Sequence, residues 1–140
     1  MDLCQLLTTV RRVAVLGMKT EAQSEQPAFY VPAYLASAGL EVIPVPVYYP
    51  QVTTILSQKV YRRLIDVPGE LDLVDVFRRP EDLMQHLDDL LAKKPRIVWL
   101  QSGIRHDDFA RRLSEQGITV IQDRCLMVDH RRCVGERRDR

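Results

Sequence analysis

Five short apolar runs, interleaved with stretches of helical spacing, limit what this chain can fold into more than any other feature. The runs cover residues 13–17, 42–45, 71–76, 97–100 and 118–121, and three of the intervening stretches, 28–38, 80–92 and 107–116, repeat their apolar residues every three to four positions. A continuous apolar run of four to six residues is the pattern of a strand buried on both faces, and strands that alternate with helices of this length build right-handed βαβ units around a parallel sheet. The predicted fold is therefore α/β, a Rossmann-like doubly wound sheet with helices on both faces. A further short segment at Gln58, Lys59, Val60 and Tyr61 is expected as an edge strand, third in the chain, which makes the order 3-2-1-4-5-6.

Boundary residues support the same division. Pro80 stands where a first-turn proline is tolerated, with Glu81 and Asp82 in the turn that favours acids. Gly39 and Gly117 follow their helices as C-terminal caps do, and Lys93, Lys94 and Pro95 close the helix between them. Residues 2–11, with Leu3, Leu6, Leu7 and Val10, read as a short amphipathic helix leading into the first strand.

With 140 residues the chain has room for one domain, which spans residues 1–140 and is large enough to bury a core without metal or disulfide staples. Its 20 Lys and Arg against 19 Asp and Glu give a formal net charge of +1, which disfavours nucleic acid as a partner. The positive charge concentrates at the end: residues 131–140 hold five arginines and two acids, leaving 15 basic and 17 acidic groups before them. That basic tail is expected to be solvated and flexible. No run approaches the length of a membrane span, and the first residues lack the marks of a signal peptide, so the expectation is a cytoplasmic protein without membrane contact. Three cysteines, Cys4, Cys125 and Cys133, show no CxxC spacing, so reduced thiols are expected and no metal site.

In an open parallel sheet, ligands bind beyond the carboxyl ends of the strands, where the strand order reverses. That rule selects Gly17, at the end of the first strand, and Val76, Phe77 and Arg78, at the end of the fourth. Gly17 opens a loop leading to a helix at Pro27, and backbone N–H groups there, with the Lys19 ammonium and the Ser24 hydroxyl, suit a phosphate. The fingerprint GxGxxG is absent, because Met18, Lys19, Thr20, Glu21 and Ala22 follow Gly17, and no acid follows the second strand to hold a ribose. A Walker loop is absent too. Phe77 with Arg78 and Arg79, and Gln101, Ser102 and Gly103 after the fifth strand, offer an aromatic face, guanidinium groups and polar donors suited to an adenine nucleotide.

Read in order, VAVLG at 13–17, PAFYVPAYL at 27–35, VIPV at 42–45, KVY at 59–61, VDVFR at 74–78, VWLQSGIR at 98–105 and DRCLM at 123–127 make the chain resemble the small stand-alone CoA-binding protein family. That family is similar to the nucleotide-binding domain at the start of the succinyl-CoA synthetase alpha subunit. The resemblance covers about residues 11–130 and implies coenzyme A, free or acylated, as the ligand. It places Gly17, Met18 and Lys19 on the phosphate loop, Val45 and Pro46 after the second strand, Val76, Phe77 and Arg78 after the fourth, and Gln101, Ser102 and Gly103 after the fifth. Pro46 stands where the family commonly has Asn, and a basic residue common near Gln26 is missing. The phosphohistidine of the synthetases belongs to a second domain, and His86, His106 and His130 have no such context.

For catalysis the one suggestive grouping is Asp123, Arg124 and Cys125 with Asp129 and His130, whose sequence spacing does not establish contact. Cys125 reads either as a small buried hydrophobe or as a thiol able to form a mixed disulfide with CoA. The expected function is a non-catalytic CoA-binding or acyl-CoA-binding module. The alternatives are an NAD(P)- or acyl-CoA-linked enzyme, and an interaction scaffold that docks through its first helix or its basic tail.

Overall fold

The computed structural model describes residues 1–135. Helix α1 (Leu3–Thr8) begins in a reciprocal cap, with Asp2 accepting from the Gln5 N–H and the Gln5 side chain accepting from the Asp2 N–H. It is shorter than its apolar spacing suggests, because the Thr8 and Thr9 hydroxyls turn back onto the Gln5 and Leu6 carbonyls. Then follow β1 (Arg12–Leu16), α2 (Pro27–Ser37) and β2 (Glu41–Val45), and next a hairpin of β3 (Thr54–Ile55) and β4 (Gln58–Lys59). The remainder is β5 (Leu73–Val76), α3 (Leu87–Lys93), β6 (Ile97–Leu100), α4 (Asp107–Ser114), β7 (Thr119–Ile121) and α5 (Leu126–His130).

Five strands form one parallel sheet in the order β2-β1-β5-β6-β7, so the chain leaves β1 toward one edge and returns beside it to build toward the other. Strand alternation divides the core in two. Ala14, Leu16, Val74, Val76, Val98 and Leu100 face the side covered by α3 and α4, where Leu87, Leu90, Phe109 and Leu113 are buried. Val13, Val15, Leu73, Ile97 and Trp99 face the side covered by α1, α2 and α5, where Leu7, Leu35 and Leu126 are buried.

The third strand does not join this sheet. Gln58 and Lys59 pair antiparallel with Ile55 and Thr54, and their extension reaches β2 through a single bond, from the Tyr61 N–H to the Pro44 carbonyl. Pro44 turns its carbonyl to the open edge of β2, and the N–H that would continue a ladder on that side does not exist on proline. Between Pro80 and Lys93 the helical spacing is realised in three pieces, two 3-10 turns (Pro80–Asp82 and Met84–His86) followed by α3. Leu83, Leu87 and Leu90 are buried as the period requires, while ties from Asp82 and His86 to Arg78 tighten the first two turns.

The cysteines also depart from expectation. Cys4 and Cys133 form a disulfide, with their Cα atoms 4.9 Å apart, and Cys125 is free. Spacing in the chain carried no trace of this pair, 129 residues apart, because α1 and the end of α5 meet only after both dock on one sheet face. That docking also gives Arg131–Gly135, the first half of the expected basic tail, a π-helical turn that continues α5. The second half, residues 136–140, lies outside the described residues.

Candidate functional site

The reversal of strand order falls between β1 and β5, and a crevice of about 650 Å³ opens there at the carboxyl ends of the strands. Four segments wall it: Lys19 with the start of α2, the Phe77 to Pro80 turn after β5, the Gln101 to Ile104 loop after β6, and Cys125, Met127 and Val128 at the start of α5. Three cations, Lys19, Arg78 and Arg79, are among its lining residues, and among the described residues no carboxylate is. Helix α2 opens onto it with Pro27 in its first turn and no side-chain cap from Gln26, so the positive end of the helix dipole meets the crevice.

Gly17 is required by the closeness of two strand ends. Its φ is +85°, and a Cβ there would lie 2.3 Å from the Phe77 carbonyl oxygen and 3.2 Å from Arg78 Cδ. The loop after it is internally bonded. Gly17 N–H donates to the Val45 carbonyl, Lys19 N–H to the Ala28 carbonyl, Thr20 N–H to Gln23 Oε1, and Ala22 N–H to Thr20 Oγ1. An anion in the crevice therefore relies on the Lys19 ammonium and the end of α2 more than on these amides. Among the described residues Lys19 has no ion-pair partner.

Arg78 is buried, and its guanidinium is engaged by neighbouring side chains. Nε donates to His86 Nε2 at 3.1 Å, a terminal nitrogen lies 3.8 Å from Asp82, and the group sits 5.8 Å from the Tyr48 ring centre. Burial and then the neighbouring Arg78 charge hold the His86 pKa below its ordinary 6.5, so the ring is the neutral acceptor this contact needs. Arg79 is exposed and paired with Asp82 at 2.9 Å. Gln101, nearly fully buried, accepts the Leu126 N–H at its Oε1, and the Trp99 indole donates to the Arg124 carbonyl. These two bonds fix the start of α5 as the far wall.

Of the residues selected from the sequence, Lys19, Phe77, Arg78, Gln101, Ser102 and Gly103 line the crevice. Met18, Val45 and Val76 are core residues, Pro46 is buried after β2, Gly17 is the point of close approach, and Ser24 stands exposed at the end of a 3-10 turn. In the wall from Cys125, Met127 and Val128, Cys125 was weighed as a thiol able to pair with CoA, and Met127 and Val128, like Tyr30 and Ile104, were not selected. The strand-end rule extends to it, since β7 ends beside β6 and α5 follows directly.

Within the suggestive catalytic grouping Arg124 and Asp129 pair with each other, while Asp123 and His130 bond residues outside it. Asp129 is held by Arg124 through bonds of 2.6 and 2.8 Å, with Arg132 at 3.4 Å, and Arg124 is the main cause of its lowered carboxyl pKa. His130 Nδ1 meets the Tyr34 hydroxyl at 2.9 Å, and Asp123 accepts the Gly103 N–H. Among the described residues no group of three or more His, Cys, Asp or Glu is placed to hold a metal ion. Nor does any helix among them have the length and apolarity to cross a membrane.

Comparison with known proteins agrees with this fold. A family model described as a CoA binding domain matches residues 11–131. The uncharacterized protein YneT of Bacillus subtilis is 30% identical over 129 residues, 92% of each chain. A structure titled cell-free ID.343 from Thermus thermophilus superposes with a TM-score of 0.87 at 41% identity, covering 95% of this chain and 99% of that one. The fold also matches part of a dinucleotide-forming acetyl-coenzyme A synthetase of Ca. Korarchaeum cryptofilum, with a TM-score of 0.66 at 16% identity, over 84% of this chain and 27% of the larger protein.

Proposed function

The chain belongs to the CoA binding domain family, and on that premise we propose that its crevice binds coenzyme A or an acyl-CoA as a non-catalytic module. The observation that carries this reading is the charge of the crevice, where the Lys19 ammonium, without an ion-pair partner among the described residues, and a helix N-terminus without a side-chain cap stand on walls that include no carboxylate of the described residues. That combination favours an anion, and the phosphates of CoA are the anionic part of the ligand. Lys19 and the start of α2 receive the pyrophosphate. Phe77, half-buried on the turn after β5, lines the crevice with Gln101, Ser102 and Gly103 of the loop after β6, and the adenosine lies against these residues.

Thermal unfolding with CoA, acetyl-CoA, NAD, NADP and ATP tests the reading. A ligand at 100 times its Kd adds roughly 2.7 kcal/mol and raises the Tm by several degrees. CoA and acetyl-CoA are expected to produce that shift and NAD none. Lys19→Ala is expected to weaken CoA about tenfold or more, the effect of one hydrogen bond to a charged group. Equal shifts with all five compounds, or unchanged affinity in the variant, overturn the assignment.

A further inference from the structure

The wall of the crevice formed by α5 is anchored at both ends. At the near end Leu126 N–H is bonded to Gln101, and Cys125, Met127 and Val128 line the crevice. At the far end Cys133 is joined to Cys4 of α1, and the Arg132 guanidinium reaches Cys4 Sγ at 3.4 Å and Asp129 at 3.4 Å. Eight residues of helix separate Cys125 from Cys133, about 12 Å, so the disulfide is remote from the ligand but continuous with its wall. Cys133 itself sits in the π-helical turn Arg131–Gly135, a winding much less favoured than the α-helix. The element on the other side of the bond is weak by itself. Helix α1 has six residues, one fully buried leucine and a cap, and helices of that length do not persist without tertiary support.

We propose that the Cys4–Cys133 bond is a redox clasp which closes the chain ends on one another and sets the stiffness of the α5 wall, so that reduction by a thiol weakens binding in the crevice. This rests on the reading of the crevice as a CoA site. The reaction is an ordinary exchange. A thiolate RS⁻ attacks Sγ of Cys4, whose residue is half-buried while Cys133 is 2% exposed, and the S–S bond breaks with its electron pair on Cys133 Sγ, which takes a proton from water. A second RSH resolves the mixed disulfide, so two RSH become RSSR and two cysteine thiols form. Reduction releases α1 from the Arg131–Gly135 turn and lets that turn rewind. The helix between it and the crevice then keeps its near anchors, Gln101 and the Arg124–Asp129 pair, and the Tyr34–His130 bond to α2, but loses its covalent far anchor. In a reducing compartment such a bond forms transiently, as in thiol sensors, whereas in an oxidising one it is a permanent staple.

The full chain is purified without reductant and compared before and after treatment with dithiothreitol. A non-reduced digest is expected to contain the linked peptides of Cys4 and Cys133, and reduction is expected to lower the Tm by about 10 °C, as loss of a bond closing so long a loop implies. Hydrogen exchange is expected to rise in residues 3–8 and 126–135 and stay level in β5 and β6. The Kd for CoA is expected to rise about fivefold. Cys4→Ser should match the reduced protein in every readout and ignore dithiothreitol. Absence of the linked peptide, or equal exchange in both states, overturns the clasp; changed exchange with equal CoA affinity overturns its coupling to the crevice. If CoA binds in neither state, the CoA reading fails, and the exchange data still decide whether the clasp exists.

Discussion

Gly17 and Asp75 show how single positions combine strain and burial beside the crevice. At Gly17 any side chain meets two penalties, a left-handed φ of +85° and a carbonyl oxygen 2.3 Å from the new Cβ. Gly17→Ala is therefore expected to cost about 3 kcal/mol by denaturant unfolding, and a loss near zero would mean that the two strand ends separate easily. Asp75 lies in the middle strand of the sheet, fully buried, and neither of its carboxyl oxygens has a hydrogen-bond partner. Burial pushes its pKa well above 3.8, so the folded chain keeps a proton that the unfolded chain releases. Stability from this group is complete below pH 3.8 and is lost as pH rises through the folded pKa. His86 has the opposite sign: its lowered pKa makes stability fall as pH drops below 6.5. Subtracting the Tm profile of Asp75→Asn from that of the wild type cancels the histidine and leaves the carboxyl, and the difference is expected to move against the wild type as pH rises from about 4. Parallel profiles would show that the carboxyl ionises in both states alike. Arg78, with its guanidinium committed to His86 and Asp82, is a support for the turn after β5, so Lys19 is the cleaner probe of ligand charge.

Among the elements, burial and pairing set a gradient of local stability. Strands β1, β5 and β6 are paired on both sides, and β5 and β6 are buried throughout, whereas β7 is an edge strand with an exposed Thr119, and β3 and β4 pair only with each other over two residues. Amide exchange is expected to be slowest in β5 and β6, faster in β7, and fastest in residues 54–59. Hairpin amides as protected as those of β5 would mean that the hairpin docks as part of the main sheet. The strand runs and the helix caps were legible in the sequence because each depends on residues close in the chain. An edge strand at Gln58 and Lys59 was expected, but its pairing with Thr54 and Ile55 apart from the main sheet was not legible, since it depends on which way Pro44 of β2 turns its carbonyl, and the 3-10 winding before α3 depends on Arg78 from another loop.

At the scale of the molecule, one βαβ unit to one side of β1 and two to the other place the crevice between β1 and β5, which is where the apolar runs and the strand-end rule put it. Part of the candidate site was readable for the same reason: Lys19, Phe77, Arg78, Gln101, Ser102 and Gly103 all follow closely on strand ends. Met18, Val45 and Val76 occupy equivalent places in the sequence, yet they face the core, because a strand end presents alternate residues to opposite sides and the chain alone does not say which side holds the ligand. The sequence by itself determined the fold class, the strand order around the reversal and membership of a CoA-binding family, all properties of pattern along the chain. Only the tertiary structure decided that Cys4 meets Cys133, that α5 walls the crevice and that Arg78 is spent on His86 and Asp82. Each of these joins residues whose separation in the chain carries no record of their distance in space, and only packing both faces of one sheet brings them together.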